Sequence, residues 1–416
     1  MSAAPRHVID APVAVRPGEA LDLDALARFL REHSLGGSGE IVVQQFPRGF
    51  SNLTYLVRTG SAEYILRRPP FGVGKGVAHD VVREAGVLSA LGAVYHKVPR
   101  ILAVCRNETV LGAPFYLMER ALGIILRDRM PAGVASAPDH MRRLSEAAID
   151  TLAEIHAVDY TAAGLGALGT PVGYVERQLA GWIKRGEAAS TGPQPDLLRI
   201  ADWLSHSRPA DSGAALIHND FKYDNLVLDP ANTANILAVL DWEMATIGDP
   251  LMDLGTTLAY WVEGSDPPAM QALGIGVTAL PGNLSRRGVL ARYEAATGKV
   301  VPHPVFYYAF GLFKVAVIAQ QIYARFVKGF TKDPRFAHLD RAVAAIGAAA
   351  VHAVDQDTRR LTRCAPFERQ AGYTSNTPAA PMPPPMHMVT SPWPPPRAPN
   401  SCSNCVVSLA PVAPNG

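Results

Sequence analysis

Excess charge of one sign is what this sequence most clearly lacks. Among 416 residues, Lys and Arg number 39 and Asp and Glu 37, for a net charge of +2. No broad basic field is therefore available to hold nucleic acid or an anionic membrane, and neither is an expected partner. Cysteine is scarce as well: Cys105, Cys364, Cys402 and Cys405 are too few for a disulfide scaffold and fit a reducing cytoplasm. Cys105 lies in an apolar run and reads as a buried thiol. Cys402 and Cys405 make one CxxC with no second pair nearby, so no zinc or redox site is read there. Long apolar runs are missing too. The most apolar stretch, 305–322, is interrupted by Lys314, Gln320 and Gln321 and is too short and polar for a membrane span. The opening MSAAPRHVIDAPVAV lacks a basic segment leading into an apolar one, so no secretory leader is expected. These absences describe a soluble cytoplasmic protein whose oligomeric state is open.

What is present is organised in blocks. A helical pattern over 21–32, closed near Gly36 and Gly37, opens the chain. The runs IVVQQF (41–46), NLTYLV (52–57) and EYILRR (63–68) are short and rich in β-branched or aromatic residues, with turn signals between them, and predict an antiparallel meander. A glycine-rich connection, 72–76, leads into a helical pattern over 77–91 carrying Val77, Val81, Ala85 and Leu88. PRILAVC (99–105) and PFYLME (114–119) then complete a five-stranded sheet with one helix inserted after its third strand. Beyond Gly123 the patterns turn helical: 140–159 with one apolar stripe, then a loop-rich interval, two strand-like runs at 215–229 and 236–243, and helices near 251–262, 285–297, 303–326 and 339–353. From 364 onward 13 of 53 residues are proline, a composition that cannot bury enough apolar surface to offset ordering, so a disordered tail is expected.

The chemistry concentrates between His218 and Glu243. HNDFKYDN sets Asp220 five residues before Asn225, and the next apolar run ends in Asp241. Phosphoryl transfer needs a carboxylate at the acceptor hydroxyl and hard oxygen ligands for magnesium. Asp220 suits the first need, and Asn225 with Asp241 the second. A polar turn between two strands would account for HxDxxxxN alone; the second strand ending in Asp241 does not fit that simpler account.

HNDFKYDN and VLDWEMATIGDPLMDLG, together with FSNLTYLV, YILRRPP and FYYAFGLFKVAVIAQQIYAR, resemble the aminoglycoside phosphotransferase and choline kinase-like family. The nearest likeness is to kinase-like domains related to those fused to acyl-CoA dehydrogenases. It covers roughly residues 25–355. The resemblance implies an α+β, protein-kinase-like two-lobed fold. On that fold, 1–39 is an N-terminal extension, 40–120 a small five-stranded N-lobe with one helix, 121–360 a larger helical C-lobe and 361–416 the tail. It further implies ATP and Mg2+ as cofactors, Asp220 as catalytic base or hydroxyl-orienting group, Asn225 and Asp241 as metal ligands, and His218 as a structural residue of the catalytic loop.

Residue by residue, the phosphate-covering turn corresponds to RGFSN, with Gly49, Ser51 and Asn52 as candidate donors, although a simple hairpin explains Gly49 equally well. Alternation along YILRR puts Arg67 at the strand-three cation position usually held by lysine, with Glu84 as its helix partner; Arg68, on the opposite face, reads as surface-exposed. Glu119 and Ala121 would meet the adenine at the hinge. Asp249 and Asp253 read as cap and anchor of the catalytic loop. Glu243 is left between metal assistance and an exposed turn. Tyr260, Trp261, Tyr307, Tyr308 and Tyr323 stand between an acceptor pocket and ordinary core. The expected activity is phosphorylation of a small-molecule hydroxyl. The resemblance implies a hydroxyacyl or hydroxyacyl-CoA acceptor ahead of an antibiotic, with aminoglycosides, macrolides, choline-like alcohols and sugars left open, and 262–268, only mildly acidic, argues for a less cationic acceptor. A catalytically silent nucleotide-binding scaffold is the rival reading. A protein kinase is disfavoured, since no DFG or APE signature follows Asp241.

Overall fold

Alternation along β-strands builds one half of the molecule. The computed structural model describes residues 11–36, 39–47, 52–71, 80–331 and 333–363, all within one compact unit that ends at Ala365. In chain order, α1 (Leu23–Glu32) is followed by β1 (Ile41–Gln45), β2 (Leu53–Thr59), β3 (Ala62–Arg68), α2 (Val81–Leu91), β4 (Ile101–Cys105), α3 (Glu108–Leu111) and β5 (Phe115–Glu119). The strands form a five-stranded sheet in the order β1-β2-β3-β5-β4, antiparallel throughout. The period of two sorts its side chains onto two faces. Tyr55, Val57, Leu66, Phe115 and Leu117 pack against Leu26, Phe29 and Leu30 of α1, whereas Leu56, Ile65, Tyr116 and Met118 pack with Val81, Ala85 and Leu88 of α2. Both helices begin at aspartates whose side chains accept from the first turn, Asp22 from the Ala25 N–H and Asp80 from the Arg83 N–H, each at 2.9 Å.

Arg68, on the face that also carries Tyr55, is not on the surface. It is 1% exposed, its guanidinium lies 3.6 Å from the Phe71 ring centroid, and its Nε donates to the Pro69 carbonyl. Strand alternation correctly separated Arg67 from Arg68 but could not reveal Phe71 and the Glu19 segment beside the latter. The sequence ahead of α1 also adds to the sheet: Val13 and Gln45 exchange backbone hydrogen bonds at 2.8 Å on the β1 edge.

The second half is largely helical. It comprises α4 (Pro138–His156), α5 (Tyr174–Ala189), α6 (Pro195–His206), β6 (Ala215–Ile217), β7 (Leu226–Asp229), β8 (Asn232–Val239), β9 (Thr246–Gly248), α7 (Pro250–Tyr260), α8 (Pro268–Gln271), α9 (Arg286–Thr297), α10 (Pro304–Val327) and α11 (Leu339–Arg363). β6 pairs with β9 and β7 with β8, both antiparallel. The strand-like run 215–229 is therefore two strands with different partners, interrupted where the backbone of the HND segment bonds to side chains. The expected loop-rich interval holds α5 and α6. The signal of α5 is weakened by Gly181 and Gly186 inside it, yet Gly186 lets α5 lie close to α10, where an added Cβ would stand 3.1 Å from Val317. Cys105 is buried, as its apolar run implies. The Pro-rich tail lies outside the described residues. Among the described residues, α10 is the helix long and apolar enough to cross a membrane by composition, but 67% of that window is buried inside the protein.

α7 and α10 cross with almost no space between backbones. A Cβ on Gly255 would fall 2.2 Å from the Tyr307 carbonyl oxygen, and one on Gly311 2.0 Å from that of Gly255. Neither obstacle is a side chain that can swing aside. Gly255→Ala and Gly311→Ala are expected to lose roughly 1–3 kcal/mol of stability, read as a lower thermal midpoint. Gly86→Ala, whose Cβ meets nothing within 4 Å inside α2, should hold or raise the midpoint.

Candidate active site

A cleft of about 840 Å³ lies between the sheet and the helical half. From the sheet side it is lined by Asn52, Arg67, Glu84, Glu119 and Ala121, and from the helical side by Asp220, Lys222, Asn225, Asp241, Glu243 and Tyr260. The structure thus brings together Asp220, Asn225 and Asp241, which the sequence separates by up to 21 positions. Gly49 and Ser51 lie outside the described residues.

The Asp220 loop is held from below by one carboxylate. Asp253, fully buried in the first turn of α7, accepts from the His218 N–H at 2.7 Å and the Asn219 N–H at 2.8 Å, and pairs with His156 Nε2 at 3.1 Å. Burial alone would raise the Asp253 pKa, but His156 and these donors hold it below the usual carboxylate range. Asp249 caps α7, accepting from the Leu251 N–H at 2.8 Å and the Ser212 hydroxyl at 2.7 Å. His218 is buried with its Nε2 2.9 Å from the Leu240 carbonyl, which joins the loop to the end of the strand leading to Asp241.

Asp220 is then fixed by its neighbours. Lys222 Nζ reaches both of its carboxylate oxygens, at 2.9 and 2.8 Å, and lies 4.6 Å from the Tyr260 ring centroid. Asn225 Nδ2 donates to the Asp220 carbonyl at 2.8 Å and to its carboxylate at 3.0 Å. Lys222 was not singled out in the sequence, although its place two residues after Asp220 in HNDFKYDN was a usable signal.

Across the cleft, Arg67 meets three carboxylates from two segments. Its Nε lies 3.1 Å from Glu84 of α2, and its Nη2 bonds to Asp241 and lies 3.2 Å from Glu243. Glu243 also accepts from Asn52 Nδ2 at 2.8 Å, so it is a bridge between the halves and not an exposed turn residue. Three carboxylates around one guanidinium leave the cluster short of positive charge. Burial, opposed by Arg67 and reinforced by Asp241, pushes Glu84 up to about 7, whereas Arg67 outweighs burial at Asp241 and keeps its carboxyl low.

Glu119 is exposed and paired with Arg100, and its N–H bonds to the Arg100 carbonyl at 2.9 Å. Of the five aromatics considered, Tyr260 lines the cleft, while Trp261 and Tyr307 are buried in the core.

The position of Glu84 has a consequence for stability. Its folded pKa lies above the unfolded value of about 4.3, so the folded chain binds the extra proton and stability falls as pH rises from about 4.5 to 7. Glu84→Gln is expected to flatten that decline in urea unfolding midpoints measured across the same interval.

The sequence profile of the phosphotransferase enzyme family matches residues 42–288. Mouse acyl-CoA dehydrogenase family member 10 is 35% identical over 321 residues, covering 76% of this chain and 29% of that protein. Rat acyl-CoA dehydrogenase family member 11 is 33% identical over 324 residues, covering 76% of this chain and 41% of that protein. The chain thus spans less than half the length of these curated relatives. A crystal structure from Ralstonia eutropha, assigned to the aminoglycoside phosphotransferases, superposes with a TM-score of 0.68 at 29% identity, covering 81% of this chain and 99% of that one. The chain belongs to the phosphotransferase enzyme family and has a kinase-like fold.

Proposed function

We propose that the protein transfers the γ-phosphoryl group of ATP, with Mg2+, to a hydroxyl of a hydroxyacyl or hydroxyacyl-CoA type acceptor. The observation that carries this reading is the convergence of Asp220, Asn225 and Asp241 on one cleft, opposite the Arg67–Glu84 pair. The donor set fits magnesium: a carboxylate and an amide oxygen are hard ligands, and the cluster around Arg67 carries more negative charge than one guanidinium balances. Asn225 and Asp241 would hold the ion. When bound, it supplies neutralisation of phosphate charge.

The chain's own groups divide the remaining work. Arg67, kept charged by three carboxylates, offers a fork of donors to phosphate oxygens from the sheet side. Asn52 adds a side-chain amide beside it. The Glu119 N–H is already used, so Glu119 has its carbonyl and Ala121 its N–H for a nucleobase. Asp220 accepts the acceptor hydroxyl's hydrogen bond and takes its proton as the oxygen attacks, while Lys222 fixes the carboxylate's orientation and charge.

The acceptor class follows from the lining on the helical side. Leu273, Ile275, Ile318 and Ile322 are apolar, and Arg127 and Arg335, the latter paired with Asp333, stand among them beside Asp128, a lining without net negative charge that suits a carbon chain better than a polycationic aminoglycoside. The curated relatives, named as acyl-CoA dehydrogenases, support the same class.

The test is magnesium-dependent ADP release across hydroxy acids, their CoA esters, aminoglycosides, macrolides and choline. Hydroxyacyl compounds are expected to stimulate, and Asp220→Asn to lower kcat by about 100-fold or more while ATP still raises the thermal midpoint. Asp241→Asn should remove the magnesium-dependent part of that thermal shift. Turnover with another acceptor class would replace the hydroxyacyl assignment. Absence of both turnover and a magnesium-dependent shift would favour a silent scaffold.

A further inference from the structure

Behind the catalytic loop sits a buried lysine that the mechanism above does not use. Lys314, in the middle of α10, is 2% exposed. Its Nζ lies 2.8 Å from the Asn219 carbonyl oxygen, 3.2 Å from Asn219 Oδ1 and 3.3 Å from Thr256 Oγ1. The Thr256 hydroxyl spends its own proton on the Met252 carbonyl at 3.0 Å, so toward Lys314 it acts as acceptor. Three acceptors therefore face one nitrogen. An ammonium has three N–H donors and matches all of them; a neutral amine has two and leaves one acceptor bare.

The residue being held is an unusual one. Asn219 precedes Asp220 directly and adopts a left-handed backbone at φ 67°, a conformation that costs an ordinary residue energy. Its other polar groups are also engaged: the N–H with Asp253, and Nδ2 with the Met244 carbonyl at 3.1 Å and the Tyr174 hydroxyl at 3.4 Å. The carbonyl that Lys314 grips belongs to the peptide joining Asn219 to Asp220.

We propose that the Lys314 ammonium is a positioning residue that sets the Asn219–Asp220 peptide, and through it the Asp220 carboxylate, in the orientation phosphoryl transfer needs. This rests on the role given to Asp220 above. The charged groups facing Lys314 are Asp253 from α7, Asp220 and Lys222 from the loop, and Arg185 from α5, beside the Trp182 ring at 5.8 Å. None of the direct contacts is a carboxylate. Burial lowers the ammonium's pKa to about 8, with Asp253 and Asp220 opposing the shift.

Loss of that proton unmatches the three acceptors, so turnover should decline above about pH 8. Stability should move the other way. Between about pH 8 and 10.5 the unfolded chain holds a proton that the folded chain has released, so folding becomes more favourable as pH rises there. A merely structural lysine would not separate the two trends.

The experiment measures kcat and KM for ATP from about pH 6.5 to 9.5, with Mg2+ and the most active acceptor of the panel, or water where none stimulates. The wild type is expected to show one ionisation near pH 8 in kcat, with KM for ATP within about twofold. Lys314→Met should lower kcat at neutral pH by about tenfold or more, spare the ATP-induced thermal shift and lack the alkaline limb. Thr256→Val, which removes one acceptor without touching charge, covers the case in which Lys314→Met does not fold; it should displace the limb. A folded Lys314→Met with kcat within twofold and an unchanged limb would overturn the proposal, as would a wild-type kcat flat to about pH 9.5. If Asp220→Asn is inactive while Lys314→Met is active, this inference alone falls; if both are active, the role of Asp220 falls first.

Discussion

The pairing of one guanidinium with three carboxylates governs how the two halves of this protein meet. Arg67 from the sheet holds Glu84 of α2 on one side and Asp241 and Glu243 of the helical half on the other. A buried charge that loses a partner is expensive, so these groups constrain one another: moving the sheet away would leave Arg67 with Glu84 alone. A second tie runs parallel to the first. Arg83, one residue before Glu84, donates to the carbonyls of Glu243 and Ala245 at 3.1 and 2.5 Å. α2 is thereby fastened by side chains and backbone to the turn that carries Asp241, and these ties add to the apolar cluster that the two halves share.

The helical half provides the opposite kind of support. Asp253 gathers the amides of His218 and Asn219 from below, and the crossing of α7 and α10 at Gly255 and Gly311 brings Lys314 within reach of the same peptide. A buried carboxylate and a buried ammonium therefore grip adjacent parts of a single turn. The loop needs both, because its backbone leaves the β6–β9 pairing after Ile217 and its polar groups must find partners among side chains. The close helix crossing makes that possible by bringing α7 and α10 to the same point.

Much of this was legible in the sequence because it is local. Alternation along YILRR put Arg67 and Arg68 on opposite faces, and the five-residue interval from Asp220 to Asn225 marked a turn that lines the cleft. Helices opened by Asp22 and Asp249 carry their caps in plain view, whereas the pattern read from 77 begins as a helix only at Val81, after Asp80, and Val77 lies outside the described residues. What escaped is contact between distant segments. Asn52 meets Glu243 across 191 residues and Lys314 meets Asn219 across 95, and neither pair has a spacing that announces it. Arg68 reads as exposed because alternation does not show that Phe71 and the Glu19 segment lie beside it. α5 was hidden by glycines that lower intrinsic helicity but permit close packing, and β9 is three residues long, too short for periodicity to register.

Asn219 and Asp241 are two of four non-glycine residues with left-handed backbones among the described residues, and both flank the chemistry. Such a conformation costs an ordinary residue about 1 kcal/mol, and Asn and Asp are the side chains that bear it most easily. The cleft thus concentrates backbone strain and crowded negative charge in the same few ångströms, offset by packing elsewhere. Selection for thermal robustness alone would relax these turns and dilute those carboxylates, and so would move the chain away from the arrangement that could handle a phosphate.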